Sequence, residues 1–281
     1  MNPDSKVRTM VRQIPPLYWL AGLVNYLRFR RGLAREERIY RAVGQVTSPP
    51  PLLRYRVHRA FDEASYIRNG QTIAQALADA LNGVGVELWN LDVLDFACGP
   101  GRVIREFQTH ARGCRMYGSD IDAEAIAWAQ AHLADVASFS INAAAAPSSF
   151  AANQFDVIYC VSLFTHLDER AQDEWLREMA RILKPGGVFV TTTHGRHALG
   201  SCTTEERAQL QREGFVYRVE RKGRFKVDGL PDFYQTTFHT RAYVAARWGS
   251  VLPLVQHIEG GLNGHQDIVV MRKRAAADRS R

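Results

Sequence analysis

The chain has 281 residues, of which 46% are hydrophobic, 10% aromatic and 23% charged, and 36 Lys and Arg against 29 Asp and Glu give it a formal charge of +7. That length suits one large domain, or one domain with extensions, and the composition excludes a wholly disordered chain. No stretch reaches the roughly 18 apolar residues needed to span a bilayer.

The charge is unevenly placed. Residues 1–60 hold 12 basic and three acidic side chains, residues 270–281 hold five and one, and residues 61–269 hold 19 and 25. An acidic body with basic ends does not suggest a nucleic-acid groove. The four cysteines, Cys98, Cys114, Cys160 and Cys202, form no CxxC pair. Zinc ligation and a disulfide framework are therefore not expected, and free thiols in a reducing cytoplasm are. No metal site is expected either. Pro15-Pro16 ahead of the first apolar run, and an arginine cluster behind it, do not make a signal peptide.

In chain order, a polar tail leads to Leu17–Leu27, then to Arg28, Arg30, Arg31, Arg35, Arg38 and Arg41. This predicts a helix with an apolar first half and a basic second half. Thr47–Pro51 reads as a linker, so residues 1–60 form a basic helical extension. Helical spacing follows at Ile73–Leu81, then a buried strand at Leu91–Phe96, a helix at Val103–Ala111 and a strand at Arg115–Asp120. Ala123–Ala134 is helical, and Phe155–Val161 is a β-branched strand. Glu169–Leu183 is a helix stopped by Lys184-Pro-Gly-Gly187 and followed by a strand at Val188–Thr193. A polar, aromatic insert spans 196–238. A helix at Thr240–Trp248 and an antiparallel pair, Val251–Ile258 and Asp267–Met271, close the body at 273, leaving 274–281 as a tail. Strands alternating with helices predict an α/β, Rossmann-like, doubly wound and mostly parallel sheet.

The sharpest motif is Val93-Leu-Asp-Phe-Ala-Cys-Gly-Pro-Gly-Arg102, in which a strand runs into Gly99-x-Gly101 and a helix. Glycines there let a ligand approach the backbone, and Asp120, ending the next strand, sits where an acid binds ribose hydroxyls. The third glycine of a dinucleotide fingerprint falls at Ile104, which weakens a nicotinamide reading. Asp95, four residues before Gly99, points to a ligand with an amine near the turn.

These residues, with Tyr117–Asp122, Phe155–Cys160 and Leu183–Phe189 in the same order, resemble the class I S-adenosylmethionine-dependent methyltransferases. The resemblance is clear over 90–195 and looser over 240–273. It implies a seven-stranded sheet with a reversed final strand and S-adenosylmethionine as cofactor. It also implies that Gly99 and Gly101 line the methionine portion, with Asp95 near its ammonium and Ala97 among the cofactor-binding residues. Asp120 would bind the ribose, Ile121 would pack on the adenine, and Asn142 would stand where an Asp often meets the adenine amine. Cys160 and Val161 would lie beside the cofactor at the fourth strand's end.

For a general base, His194 at the fifth strand's end leads, His166 is either a base or a helix cap, and His239 with Tyr234 could close over the acceptor. His58, His110, His132, His257 and His265 read as surface or packing residues. A base-amine acceptor in nucleic acid is disfavoured, because Cys160-Val-Ser-Leu-Phe replaces the Asn/Asp-Pro-Pro-aromatic motif. Thr165-His-Leu, Thr192-Thr-His-Gly195 and Gly260–Asp267 are similar to bacterial methyltransferases found near glycan-assembly enzymes. That similarity implies O-methylation of a sugar, glycan or other small hydroxylated metabolite. The alternatives are an NAD-dependent oxidoreductase and a non-catalytic scaffold. Residues 17–41 have two readings: an anchor at the inner membrane surface, with Tyr18, Trp19 and Tyr26 at headgroup level, or a helix packed on the body or on another subunit.

Overall fold

The computed structural model describes residues 15–43, 48–220 and 229–275. The polar tail before residue 15, Thr47 of the expected linker, 221–228 of the insert and 276–281 of the expected C-terminal tail lie outside the described residues, as do the side chains of Tyr18 and Trp19. The strands are β1 (Asp92–Phe96), β2 (Arg115–Asp120), β3 (Ser138–Ile141), β4 (Phe155–Cys160), β5 (Leu183–Thr193), β6 (Phe215–Arg218), β7 (Thr236–His239), β8 (Leu254–Leu262) and β9 (Gln266–Arg272). Seven of them form one sheet in the order β3-β2-β1-β4-β5-β9-β8. The first five pair in parallel, and β9 runs antiparallel between β5 and β8. This is the expected doubly wound sheet with its reversed final strand.

All five residues of β1 are buried, because helices cover both faces of the sheet. Alternation along the strand divides two cores. Val93 joins Leu77, Leu81 and Phe107 on one face, whereas Leu94 and Phe96 join Trp175, Leu176 and Met179 on the other. At the end of the sheet away from the glycine turn, Asp92 accepts from Arg115 at 2.6 and 2.7 Å and from Lys184 at 3.0 Å, and Lys184 also reaches Asp156 at 2.6 Å. The Arg115 hydrogen bonds hold the Asp92 carboxyl below the usual range. Because Arg115 is largely exposed, this network fixes strand starts more than it adds stability.

Several expected boundaries move. The helix predicted from Ile73 starts at Glu63, since Asp62 caps it by accepting from the Ser65 N–H at 2.8 Å. The stretch after the glycine turn is a short helix, Ile104–Phe107, and a 3₁₀ turn, Gln108–His110. The helix predicted at 240–248 is one turn, Arg241–Tyr243, continued by a π turn, Val244–Trp248.

The larger correction concerns the linker. Pro51 opens a helix, Pro51–His58, and the buried Ser48 accepts from Arg54 Nη1 at 3.0 Å. Proline breaks a helix interior but is preorganised for a first turn. The extension thus ends before Pro51, and residues 51–58 belong to the body. The long helix before them, Pro15–Val43, docks through Phe29, whose ring meets Tyr55 at 5.0 Å and Phe61 at 5.5 Å. Within the insert, a helix (Thr204–Glu213) with a Thr203/Glu206 capping box leads into a two-stranded sheet of β6 and β7.

Candidate functional site

A cleft of about 410 Å³ opens at the C-terminal ends of β1, β2 and β4. One half is the turn after β1. Ala97, Gly99 and Gly101 all have positive φ there, at 63°, 54° and 82°. Asp120 locks that turn, accepting from the Gly99 N–H at 2.7 Å through one oxygen and from the Asp122 N–H at 2.8 Å through the other. Burial pushes its carboxyl up and the backbone N–H groups oppose this. Each oxygen keeps a second lone pair for a ligand hydroxyl. Asp95 lies beneath, fully enclosed, and burial pushes its carboxyl well up. Asp95 Oδ2 and the buried Asn142 Oδ1 have no hydrogen-bond partner among the described residues.

Asp95, Ala97, Gly99, Asp120, Ile121, Asn142 and Val161 all line the cleft. Two expected neighbours do not. A Cβ on Gly101 would come within 2.5 Å of Leu133 Cδ1, so that glycine serves packing instead of ligand approach. Cys160 is fully buried in the core beneath the floor, since its side chain alternates away from the cleft.

The other half is built by segments distant in sequence. The strand-like run 235–239 of the insert is stitched across the loops after β4 and β5. Gln235 N–H donates to His166 O at 3.0 Å, Thr237 N–H to Thr165 O at 2.7 Å, and His239 N–H to His194 O at 3.0 Å. His166 lines the cleft, stacks on Tyr234 with centroids 4.1 Å apart, and bonds through Nδ1 to the carbonyl of Gln235. A carbonyl can only accept, so Nδ1 carries a proton. The helix cap that was the alternative role for His166 comes from Asp168, whose carboxylate accepts from the Ala171 N–H at 2.8 Å.

The two other proposed bases are placed elsewhere. His194 lies outside the cleft lining, 8% exposed, with Nδ1 donating to the Thr237 carbonyl at 3.0 Å, and burial pushes it down to about 4. His239 is enclosed between Trp248 and Gln172. Gln172 donates its Nε2 to the carbonyls of Phe164 and Leu167, so its Oε1 accepts from His239 Nε2 at 2.9 Å. His239 Nδ1 is buried without a partner among the described residues, and burial pushes this histidine down to about 3. Both rings are therefore neutral in the folded state.

Their linkage to stability has a definite sign. The unfolded chain takes protons near pH ~6.5 and the folded chain only far below, so stability is full above that pH and falls on acidification. Between about pH 6.5 and 4 each histidine costs up to ~1.4 kcal/mol per pH unit. The thermal midpoint should drop on moving from neutral pH to about 5, less steeply in His239→Gln. A midpoint that is level across that window would remove the assignment of two neutral buried rings.

Residues 93–187 match the family described as a methyltransferase domain. That stretch, from β1 into β5, is a methyltransferase domain. A probable methyltransferase of Aspergillus luteorubrus is 31% identical over 110 residues, which are 35% of this chain and 38% of that protein. The match thus spans under two fifths of that relative. Among solved structures, magnesium protoporphyrin IX methyltransferase from Synechocystis, with bound S-adenosylhomocysteine, superposes with a TM-score of 0.52 at 17% identity, over 78% of this chain and 93% of that one. A putative O-methyltransferase from Nostoc punctiforme gives 0.54 at 15% identity, over 82% and 62%. At such identities the likeness is one of fold.

The methyltransferase cleft fits its cofactor on its own atoms. The orphaned Asp95 and Asn142 oxygens would face an ammonium and an adenine amine, and Asp120 would have a lone pair on each oxygen for a ribose hydroxyl. Arg102, whose Nη1 donates to Asn69 Oδ1 at 2.7 Å and whose Nε is buried without a partner among the described residues, suits a carboxylate. Arg102, Asn69, Val57 and His265 are cleft residues that the sequence reading missed. Val57 packs on the glycine turn, 2.6 Å from where a Gly99 Cβ would stand. The arginine directly after Gly101 was the one available signal among them.

Proposed function

We propose that the chain transfers a methyl group to a hydroxyl of a sugar, glycan or other small hydroxylated metabolite. The observation that carries this reading is a single cleft holding both the cofactor cradle and His166. When bound, S-adenosylmethionine supplies a methyl group already activated by its sulfonium. The chain's own task is alignment and proton removal. Asp120, Asn142 and Arg102 hold the donor in register, and Tyr234 stacks behind His166 to fix the imidazole plane. A sugar hydroxyl is a weak acid, so a neutral base beside it speeds transfer. His166 Nε2 accepts the hydroxyl proton as the oxygen gains the methyl group.

A dinucleotide is poorly served. Ile104 stands where a third glycine would and is fully buried in the core. Titration calorimetry with S-adenosylhomocysteine and NAD, followed by a labelled-donor screen of nucleotide sugars, lipid-linked glycans and phenols, tests the proposal. Label in an ether-linked methyl of a hydroxylated acceptor is the expected result. Binding of NAD without S-adenosylhomocysteine, or label confined to nucleic-acid bases, would overturn it.

A further inference from the structure

The helix Pro15–Val43 has a face that the described residues of the body do not use. Leu20, Val24, Leu27 and Arg31 follow at intervals of four, three and four residues and so share one stripe. Phe29 and Tyr40, which meet Tyr55 and Arg54, stand on the opposite side. Leu20 is 53% exposed, Val24 39% and Leu27 44%. Further along the outer side come Arg31, Arg35 and Arg38, all exposed. The helix carries six arginines against Glu36 and Glu37. Glu37 pairs with Arg41 at 3.7 Å, and Glu36 lies in the field of Arg54.

We propose that this face docks the protein on an anionic phospholipid surface, the leucine and valine stripe entering the headgroup boundary and the arginines engaging lipid phosphates. Charge decides the occupant. A second copy of the helix would bring arginines against arginines or against leucines. A nucleic acid would neutralise the arginines but leave the apolar stripe in water. A membrane of acidic lipids satisfies both halves at once. The helix lies on the surface and does not span it, since no helix among the described residues is long and apolar enough to cross. The docked side matters for the site: Tyr55, which holds Phe29, sits next to Arg56 and Val57 of the cleft wall, so the cleft stands close to the lipid surface.

The test is flotation of the full chain with phosphatidylcholine vesicles, with and without phosphatidylglycerol. Binding should need the acidic lipid and fall by about tenfold or more in Arg31→Glu/Arg35→Glu/Arg38→Glu and in about 0.5 M salt. Leu20→Glu/Val24→Glu/Leu27→Glu should fall equally, while S-adenosylhomocysteine binding stays at wild-type strength in both variants, which separates docking from the cofactor reading. The proposal is overturned by failure to float with acidic vesicles at low salt. It is also overturned by a dimer in sedimentation that the leucine variant dissolves, or by duplex DNA binding as tight as vesicle binding and indifferent to that variant.

Discussion

Replacing His166 by alanine is expected to lower turnover by about 10²–10⁴-fold while leaving the affinity for S-adenosylhomocysteine unchanged, the range that a positioned general base supplies. The reasoning is geometric. The Gln235 carbonyl holds a proton on Nδ1, so Nε2 is the ring nitrogen that would serve as base, and the ring lies in the cleft wall against Tyr234. A purely structural role is separable, because the same bond ties the insert to the loop after β4. His166→Asn keeps an amide donor near the Nδ1 position and lacks a base. It should retain the melting midpoint yet lose activity as fully as alanine. Turnover within about threefold of the parent in both variants would remove His166 from the chemistry.

Asp120→Ala should weaken S-adenosylhomocysteine binding by roughly two orders of magnitude, from two charge-assisted hydrogen bonds at about 1.5 kcal/mol each. The effect exceeds simple loss of contact, because the carboxylate also gathers the Gly99 and Asp122 N–H groups. Without it the glycine turn loses its internal anchor, so a lower melting midpoint should accompany the weaker binding. Asp120→Asn keeps an acceptor of the same shape and should lie between the two. Calorimetry reads the affinities directly, and an unchanged dissociation constant in the alanine variant would contradict the cradle as described.

The cofactor half was open to sequence reading because it is local. A strand, a glycine turn and an acid one strand later fall within about 30 residues, and backbone geometry alone brings Asp95, Gly99 and Asp120 together. The acceptor half is not local. His194 follows a strand at the cleft-facing end of the sheet, yet β7, more than 40 residues later, accepts the hydrogen bond from its Nδ1–H and buries the ring. His239, at the end of β7, disappears for a related reason: Gln172, on the helix Glu169–Ile182, claims it. His265 lies in the turn between β8 and β9, and only the reversed strand's position beside β5 carries that turn to the cleft. The three prolines at 49–51 misled because the residue that starts a helix is also the residue that stops one.

That helix start bears on how the protein can be divided in the laboratory. Arg56 reaches Asp122 at 2.8 Å and Glu124 at 2.8 Å, and Val57 rests on the Gly99 turn. A fragment cut to the recognisable family stretch, or begun at residue 61, would expose the floor of the donor pocket and strip Asp122 of its counter-charge. The smallest unit worth expressing begins before Ser48, whose hydroxyl holds Arg54. It must also run through Arg272, because the last strand delivers the opposite wall.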